Sequence, residues 1–324
     1  MSKRPIIAVD AMGGDFGPSV VVPGAVEAAR LHDLHVLLVG DTPKLEAELG
    51  KIDLANAHFD IVQADDVVHM NEKPSDILRR KKNASIQVAC RLVKEGAADS
   101  VVSAGHSGAT VACGMFIMGR LPGVERPALA ALLPTEKNPV VVLDAFARDL
   151  LNYAAPRVSL LSIGEEEGKG NSQVKEAYEL LKMAQNLNFI GNAEGRDIFA
   201  GNIDVVVCDG FVGNVVVKMS EGLAASLVRM LKRVFTSGLL PALGGMLAKG
   251  AFKHFARTID YAEYGGAPLL GLQGLAIVCH GRSNARAMSN AVKMSGAFVR
   301  KGTNDRLAET ILANEELTRF SRAI

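Results

Sequence analysis

The sequence has almost no net charge. Its 36 Lys and Arg residues balance 35 Asp and Glu residues, which leaves a formal charge of +1 over 324 residues. A chain of this kind has no global attraction to nucleic acid or to a membrane surface, so we expect no nucleic-acid partner. Any charged partner must be recognised by a local patch. Hydrophobic residues at 48% and charged residues at 22% are typical of a soluble globular protein.

Paired cysteines are also missing. The four cysteines lie far apart inside apolar runs, without the spacing of metal ligands. We interpret them as buried free thiols in a reducing cytoplasm rather than as redox or metal-binding groups. The sequence also lacks a carboxylate set with metal-ligand spacing and a Gly-x-Gly-x-x-Gly fingerprint, so it predicts no metal and no nicotinamide cofactor.

A long apolar run is the third absence. The run behind the basic residues 1–4 stops at Asp10, which is too short for a signal peptide. No segment approaches the ~20 apolar residues that a membrane-spanning helix needs. We therefore expect a cytoplasmic protein.

Strand-like and helix-like segments alternate along the chain. Short β-branched runs predict strands, and apolar residues at helical spacing predict helices between them. The alternation indicates an α/β fold, with a mostly parallel sheet between helical layers, in one catalytic domain over residues 1–324. The predicted strands are 6–9, 36–40, 59–63, 101–103, 158–163, 205–207 and 275–279, and the predicted helices are 19–30, 84–95, 108–120, 172–185, 213–235, 284–300 and 305–320.

One pair of predicted strands departs from the parallel layout. Residues 129–133 and 140–143 are joined by a short segment that carries a proline at each end. A connection of this length suits neighbouring antiparallel strands, so the pair predicts a hairpin.

Several predicted strands run directly into a glycine-rich or polar turn that opens a helix. In open α/β sheets the ligand binds outside the carboxyl ends of the strands, so we expect these turns to line one crevice. Glycine turns and helix N-termini present backbone N–H groups, which suits an anion. The candidate binding residues are Gly13, Gly14, Asp15, Gly105, His106, Ser107, Gly108, Asp209, Gly210, His280, Gly281, Ser283 and Asn284.

Two residues in such turns carry the chemistry that we expect in the crevice. Lys169 lies between two glycines in the turn 164–170, where it can reach an anion without steric shielding. Asn214 lies at the start of the helix after strand 205–207, near unpaired N–H groups that suit a developing oxyanion. The three carboxylates that precede Lys169 are interpreted as solvated charges at a helix start.

His106 has three interpretations at this stage. It is a base, a hydrogen-bond donor or a cap of the following helix, and Ser107 is the natural N-cap at this position.

Two surface patches predict contacts with larger partners. The densest basic cluster is either a solvated face or a docking site for an acidic protein. Residues 236–266 form an apolar helical protrusion with a basic flank, which completes a core, meets a second subunit or lies in a membrane interface. The basic cluster is Arg79, Arg80, Lys81 and Lys82, and the protrusion carries Leu239, Leu240, Leu243 and Leu247.

Six motifs, in order over nearly the whole chain, resemble one family. They are residues 9–18, 103–109, 123–128, 163–170, 208–214 and 280–281. Together they resemble the bacterial PlsX-type phosphate acyltransferases. The resemblance implies a three-layer α/β/α sandwich similar to isocitrate dehydrogenase and phosphate acetyltransferase.

The resemblance also implies an activity. Members of the family transfer a fatty acyl group from acyl carrier protein to inorganic phosphate, giving acyl phosphate for phospholipid synthesis. They are homodimers that associate peripherally with the membrane, which places this protein at the inner face of the cell membrane. Lys169 and Asn214 fall where the family has active-site residues. His106 stands where relatives often carry asparagine, so the resemblance favours a hydrogen-bond donor there.

This chain departs from the family pattern after Asp144. The family continues with Gly-Ala-Asn and a further helix, whereas here residues 145–148 lead almost at once to Pro156. Either that loop and helix are absent from the protein or the sequence is closed over them, and one wall of the crevice stays unassigned.

Three rival functions remain. A decarboxylating dehydrogenase of similar fold would need a nicotinamide cofactor and a divalent metal, for which the sequence offers no motif. A transacetylase would use a small coenzyme A thioester. A membrane-attached docking protein would bind acyl carrier protein without catalysis.

Overall fold

The computed structural model describes residues 4–135, 140–141, 155–185, 187–258 and 261–314. Over these residues the strands form a seven-stranded and a five-stranded sheet, and most neighbouring strands are parallel. The predicted α/β fold with a mostly parallel sheet is confirmed. In chain order the strands are β1 (Ile6–Asp10), β2 (His35–Gly40), β3 (His58–Gln63), β4 (Ser100–Ser103), β5 (Ala128–Leu129), β6 (Leu132–Leu133), β7 (Val140–Val141), β8 (Arg157–Leu161), β9 (Asn188–Ala193), β10 (Val205–Val207), β11 (Ala267–Leu270) and β12 (Leu275–Val278).

Helices fill the connections between parallel strands. A typical one places residues spaced three and four apart, such as Ile86, Ala89 and Cys90, in the core and its charged residues in solvent. In chain order the helices are α1 (Pro18–His32), α2 (Thr42–Leu49), α3 (Pro74–Arg80), α4 (Ser85–Lys94), α5 (Ser107–Cys113), α6 (Ser172–Met183), α7 (Gly210–Phe235), α8 (Leu239–Leu247), α9 (Lys249–Thr258), α10 (Ala285–Lys301) and α11 (Thr303–Ala313). The predicted helix 305–320 therefore ends at Ala313, and residues 315–320 lie outside the described part of the chain.

The seven-stranded sheet reverses its strand order beside β1. Its order is β3-β2-β1-β4-β12-β11-β5, so the chain runs outward from β1 through β2 to β3 and returns to β4 on the other side. Strands β1, β4 and β12 are parallel neighbours. The turns that follow these three strands consequently share the edge where α/β proteins bind ligands.

The five-stranded sheet repeats this arrangement. Its order is β6-β7-β10-β8-β9, and β8 lies parallel to both β9 and β10. The strand order therefore reverses between β8 and β10. Because Val207 pairs with Leu160, the turns after these two strands begin side by side.

Two helices on one face of the larger sheet pack in close contact. A Cβ at Gly24 of α1 would lie 2.3 Å from the carbonyl oxygen of Ala285 in α10, so only glycine permits this approach. The core beneath them includes Val158 of β8 and Val205 of β10. One hydrophobic core thus continues from the first sheet to the second.

The predicted strand 129–133 is divided between the two sheets. Ala128–Leu129 pairs antiparallel with β11, whereas Leu132–Leu133 pairs antiparallel with Val140–Val141. The predicted hairpin is right for Leu132–Leu133 and wrong for Leu129, because the chain leaves one sheet for the other inside the apolar run. Residues 142–143 lie outside the described residues.

Most of α7, together with α8 and α9, forms an exposed protrusion that begins earlier than predicted. Near the start of α7, Val216 and Val217 pack against the core of the smaller sheet. None of the described side chains of these three helices is buried. The leucines of α8 do not complete this chain's own core, because Leu239, Leu240 and Leu247 are 87%, 84% and 90% exposed. Large apolar side chains are also exposed along α7 at Phe211, Val215, Met219, Leu223, Leu227, Met230 and Val234.

The length and composition of α7 correct one expectation from the sequence. By these two criteria alone, this 26-residue helix is long and apolar enough to cross a membrane. The sequence predicts no such segment because Lys218 and Glu221 interrupt the apolar run. Length and composition by themselves are weak evidence for a membrane span.

Candidate active site

The turns after β1, β4 and β12 contact one another, and we call residues 13–15, 105–108 and 280–284 the glycine cluster. The N–H of Asp15 donates to the carbonyl oxygen of Gly281 over 2.8 Å. A Cβ at Gly13 would lie 2.7 Å from the nitrogen of Gly105, and Gly14 has a φ of +91°. Side chains at these two positions would force the turns apart.

Some backbone donors of the glycine cluster are already engaged. The N–H of Gly13 bonds the carbonyl oxygen of Asp10 at 3.3 Å, and the N–H of Gly105 bonds Ser103 Oγ at 3.1 Å. Among the described residues, the N–H groups of Ser107 and Gly108 at the start of α5 have no hydrogen-bond partner. Consecutive unpaired N–H groups at the start of a helix suit an anion, so the start of α5 is the candidate anion site of this cluster.

His106 caps α5. Its Nδ1 accepts a hydrogen bond from the N–H of Ala109 at 3.2 Å, which leaves Nε2 to carry the proton of the neutral ring. Of the three interpretations from the sequence, the helix cap is the one that the structure shows. The prediction that Ser107 is the N-cap is wrong, because Ser107 is already the first residue of the helix.

Ser283 and Asn284 lie where the last turn meets α10. Asn284 caps this helix, since its Oδ1 accepts from the N–H of Ala287 at 2.9 Å. Ser283 is 3% exposed, and its hydroxyl has no hydrogen-bond partner among the described residues. His280 Nδ1 accepts from the N–H of Arg282, which fixes the turn between them.

Asp10 is a residue that sequence reasoning missed. It ends β1, is 3% exposed, and accepts hydrogen bonds from Ser85 Oγ at 2.5 Å and Ser103 Oγ at 2.7 Å. Burial raises the pKa of its carboxyl group, and hydrogen bonds from these hydroxyls and from the Met12 and Gly13 backbone offset only part of the shift. In the sequence Asp10 is recognisable only as the polar residue that ends a strand. Its hydrogen-bond partners cannot be predicted because they are distant in the sequence.

Asp10 and three residues of the glycine cluster, Gly13, Gly105 and His106, line a hollow at the edge of the larger sheet. Ser85 and Thr110 also line it. Lys169 and Asn214 are not among its lining residues.

Lys169 and Asn214 lie at the corresponding edge of the smaller sheet, and we call residues 164–170 and 208–214 the lysine–asparagine edge. Both side chains are exposed. They follow the adjacent parallel strands β8 and β10, at the point where the strand order reverses. The structure therefore groups the predicted site residues into two sets, one for each sheet. Their union in a single crevice stays a prediction.

The loop that carries Lys169 is held from both sides. Asn192 Nδ2 of β9 donates to the carbonyl oxygen of Glu166 at 2.9 Å, and Tyr178 of α6 donates its hydroxyl to Glu167 at 2.9 Å. Lys182 Nζ also bonds Glu167, at 3.2 Å. Hydrogen bonds from Tyr178 and Lys182 lower the pKa of the Glu167 carboxyl group.

The acidic residues before Lys169 are exposed, as predicted, but they do not lie at the helix start, because the helix begins at Ser172. Glu167 is exposed but bonded, and Glu165 lies 3.6 Å from Arg196 in an ion pair. The cap of α6 is Asn171, whose Oδ1 accepts from the N–H of Val174. These two carboxylates fix the loop instead of capping the helix.

The start of α7 offers fewer free donors than predicted. The Asp209 carboxylate accepts from the N–H groups of Phe211 and Val212 at 2.8 and 3.0 Å, and the Asp209 carbonyl accepts from Gly213. The expectation of several unpaired N–H groups beside Asn214 is therefore wrong, and the N–H of Gly210 is the donor that this cap leaves. Asn214 itself presents its amide side chain to solvent.

The cysteine thiols stay protonated near neutral pH. Burial raises the pKa of Cys208, next to the lysine–asparagine edge, to about 11, and that of Cys113 and Cys279 to about 12. All four cysteines, Cys90, Cys113, Cys208 and Cys279, are free. The prediction of buried free thiols is confirmed for Cys90, Cys113 and Cys279, whereas Cys208 is free but only partly buried. With its raised pKa, Cys208 is a poor nucleophile.

The basic cluster borders the hollow but is not uniform. Lys81 Nζ points inward and bonds Glu72 at 2.6 Å and the carbonyl oxygen of Val67 at 2.7 Å. Val67 also lines the hollow. Arg79, Arg80 and Lys82 are exposed, so an acidic partner could meet these three side chains and not Lys81.

The described residues contain no group of three or more His, Cys, Asp or Glu side chains placed to hold a metal ion. The donors at both sheet edges are instead hydroxyl, amide, ammonium and backbone N–H groups. Such donors suit an anion or a carbonyl oxygen.

Comparison with known proteins gives matches over nearly the full chain. The sequence profile of the fatty acid synthesis protein family matches residues 6–147 and 145–306. A phosphate acyltransferase of Nitratidesulfovibrio vulgaris (strain DP4) is 65% identical over 339 aligned positions that cover 98% of each chain. A phosphate acyltransferase of Lawsonia intracellularis is 61% identical over 98% of this chain and 97% of its own.

Solved structures share the fold. A phosphotransacetylase from Streptococcus pyogenes superposes with a TM-score of 0.63 at 17% identity, covering 93% of this chain and 95% of its own. The EutD phosphotransacetylase from Staphylococcus aureus gives 0.54 at 17% identity, with 91% and 94% covered. At these identities the likeness concerns the architecture alone.

The matches also bear on the departure after Asp144. The two profile segments meet at residues 145–147, and the first alignment is longer than the chain. Both observations fit a stretch of the family pattern that this sequence lacks. Residues 142–154 lie outside the described residues, so the structure does not address this wall of the crevice.

Proposed function

The chain belongs to the fatty acid synthesis protein family, in which its near relatives are phosphate acyltransferases, and from this premise we propose that it moves a fatty acyl group from acyl carrier protein to inorganic phosphate. Acyl transfer to phosphate follows from the family. The carrier protein as donor, and acyl phosphate for phospholipid synthesis as product, are the finer part of the proposal.

One observation carries the assignment of the chemistry. An ammonium group and a carboxamide, Lys169 and Asn214, follow adjacent parallel strands at the reversal point of the smaller sheet. Phosphate needs a cation to hold it, and the thioester carbonyl needs a donor for the oxyanion of its tetrahedral intermediate. These two groups supply one of each.

The reaction requires little proton transfer. A phosphate oxygen attacks the thioester carbonyl carbon, a C–O bond forms, the C–S bond breaks, and the thiolate leaves and takes up a proton from water. Phosphate is already nucleophilic near neutral pH, so positioning and charge stabilisation are the main tasks. Lys169 holds phosphate, and Asn214 donates its amide N–H to the developing oxyanion.

The decisive experiment measures thiol release from palmitoyl acyl carrier protein with and without added phosphate. We expect release that depends on phosphate and yields acyl phosphate. Acetyl-coenzyme A, assayed in parallel, should be a poor donor. Binding of the carrier protein without any release would instead support a docking protein, and preference for acetyl-coenzyme A would support a transacetylase.

Arg79, Arg80 and Lys82 are the proposed contact for the acidic carrier protein. Replacing Arg79 and Arg80 by Glu should raise the KM for acyl carrier protein, most strongly at low salt, and leave the KM for phosphate unchanged. Lys94→Glu is the matched control, because this exposed lysine lies at the far end of α4. Equal KM values in the control and the double variant would remove this contact from the proposal.

The protrusion supports two further parts of the proposal, a homodimer and peripheral attachment at the inner face of the cell membrane. The exposed apolar side chains of α7 recur every three or four residues, which is the spacing of a helix packing surface. Leu239, Leu240 and Leu247 of α8 lie beside the basic residues of α9, which suits an interfacial contact with anionic lipid.

Two measurements separate these two contacts. Leu223→Arg in α7 should give a monomer by light scattering, whereas Leu239→Ser with Leu240→Ser should abolish flotation with anionic vesicles and preserve the dimer. If the α8 variant lost the dimer and still floated, the roles of the two helices would be reversed.

A further inference from the structure

Asp10 has an unusual environment for a buried carboxylate. Buried charges in proteins are normally paired with an opposite charge. Among the described residues no Lys, Arg or His side chain bonds Asp10, and hydroxyl and backbone N–H groups surround it instead. The only other buried carboxylate residue in the described part of the chain, Asp204, is paired with Arg157 at 2.9 Å.

The carboxylate of Asp10 joins three distant parts of the chain. One oxygen bonds Ser85, the first residue of α4, and the other bonds Ser103, the last residue of β4. Ser103 Oγ in turn accepts from the N–H of Gly105. The carboxylate thus fixes the start of α4, the turn after β4 and, through the backbone of Met12 and Gly13, its own turn.

The position of Asp10 affects the turns that carry Gly13 and Gly105, because both glycines lie close to its carboxylate. A Cβ at Gly13 would lie 2.8 Å from Asp10 Oδ2, and one at Gly105 would lie 3.1 Å from the same oxygen. A shift of the carboxylate would move both turns, and with them the unpaired N–H groups of Ser107 and Gly108.

A direct contact between Asp10 and phosphate is disfavoured by geometry. Asp10 is 3% exposed, and its two carboxyl oxygens already accept hydrogen bonds from Ser85 and Ser103. Any contribution of Asp10 to the reaction therefore passes through the turns that it holds.

We propose that Asp10 is a positioning residue for acyl transfer, which locks the glycine cluster so that the N–H groups at the start of α5 stay directed at the phosphate or at the thioester oxygen. This inference rests on the proposed function. Lys169 and Asn214 act directly on the substrates in the proposed function, whereas Asp10 acts through its neighbours.

The test is the isosteric variant Asp10→Asn, with KM for phosphate and kcat measured separately on protein shown to be folded by circular dichroism. Misplaced donors should raise the KM for phosphate and lower kcat, with a combined loss in kcat/KM of about 10- to 100-fold, since displacement by about 1 Å commonly has an effect of this size. If Asp10 acted only as a nearby charge, its removal would lower the KM for phosphate. That result would overturn the proposal.

Further variants keep the test decisive. Ser85→Ala and Ser103→Ala each remove one donor to the carboxylate and should lower kcat/KM in the same direction by a smaller factor. If Asp10→Asn does not fold, unchanged activity in both serine variants would overturn the proposal. The control is Asp204→Asn, at the start of β10, which should lower the melting temperature and leave kcat and both KM values unchanged below it.

Two failures can be told apart. Wild-type protein without phosphate-dependent thiol release would overturn the proposed function and this inference with it. Active wild type together with an equally active, folded Asp10→Asn variant would overturn the positioning role alone.

Discussion

The glycine cluster and the lysine–asparagine edge both lie where a parallel sheet reverses its strand order, but they are built in opposite ways. In the glycine cluster Gly13 and Gly105 are buried, the turns touch, and the N–H groups of Gly13, Asp15 and Gly105 bond the protein itself. At the lysine–asparagine edge the side chains of Lys169 and Asn214 are exposed to solvent, and the loop that carries Lys169 is held by hydrogen bonds from Tyr178 and Asn192.

This difference shows that one topology supports two kinds of site. A cluster of touching turns fixes backbone groups in place and tolerates little change. An open edge presents long side chains that can adapt to a substrate, and its scaffold can vary without loss of the fold. Substitutions that crowd the touching turns should therefore lower stability, whereas removal of the exposed side chains at the open edge should lower activity alone.

The largest effect should follow from removing the exposed side chains. Lys169→Ala and Asn214→Ala should each lower turnover by about 10²–10³-fold, the usual consequence of losing one oxyanion or phosphate donor, with an unchanged melting temperature. The measurement is thiol release. The control variant is Lys175→Ala, which removes an exposed lysine of α6. Near-wild-type rates in both variants would show that neither side chain contributes to acyl transfer.

The converse substitution belongs to the glycine cluster. Gly13→Ala places a methyl group 2.7 Å from a backbone nitrogen, whereas Gly168→Ala meets nothing within 4 Å. Overpacking of this kind typically destabilises by about 1–3 kcal/mol, so Gly13→Ala should melt earlier and Gly168→Ala should not. Equal melting temperatures would show that the turns of the cluster can separate.

The two buried carboxylates extend the comparison to pH. Burial raises the pKa of Asp204, but hydrogen bonds and the charge of Arg157 outweigh burial and bring it below its ordinary value of 3.8. Its contribution to stability is therefore present above pH 3.8 and is lost as the pH falls through the lowered folded-state pKa. For Asp10 the folded-state pKa is raised above 3.8, so its contribution is present below that pH and is lost as the pH rises through the raised value.

Urea denaturation at several pH values checks these opposite signs. Asp204→Asn should destabilise by about 2–3 kcal/mol at pH 7, less than for a fully buried pair because Arg157 is 41% exposed, and the difference from wild type should shrink below pH 4. The difference between wild type and Asp10→Asn should change with pH in the other direction. Parallel pH dependence for the two variants would contradict the assigned environments.

The smallest effect should come from loosening the loop behind Lys169. Glu167→Gln weakens the bonds from Tyr178 and Lys182 at an exposed site, so a few-fold loss of kcat is expected with little change in stability. Glu176→Gln, on the exposed side of α6, is the matched control. A loss as large as that of Lys169→Ala would mean that Glu167 contacts the substrate.

The strong elements of the fold were predictable from the sequence. The strands β1, β2, β4 and β12 are continuous apolar runs that end in glycine or polar turns, and both signals survive without tertiary information. Strand β9 was missed because Gly191 interrupts its pattern, and β11 was missed because Pro268 does. The division into two sheets was not predicted, because the chain passes from one sheet to the other at two alanines. Alanine gives no indication of such a change in the sequence.

The candidate site was predictable only as a set of turns. Their place at the sheet edges follows from strand direction, so the grouping of Gly13 with Gly105 and of Lys169 with Asn214 was within reach. Which donors are engaged was not, because it depends on pairs such as Asp10 with Ser85 that lie 75 residues apart. The contact between Lys81 and Glu72 could not be predicted either, because nothing in a run of four basic residues distinguishes the one side chain that points inward.

Helix α7 is one continuous helix between the lysine–asparagine edge and the tip of the protrusion. Its 26 residues place Asn214 near one end and α8 just beyond the other, at a separation on the order of 30 Å. The number of residues in α7 therefore sets the direction in which α8 points. Inserting one residue in the middle of α7 would rotate α8 by about 100° about the helix axis, whereas inserting seven residues would return it nearly to its original direction. The length of this one helix therefore sets how the exposed leucines of α8 are oriented relative to the lysine–asparagine edge.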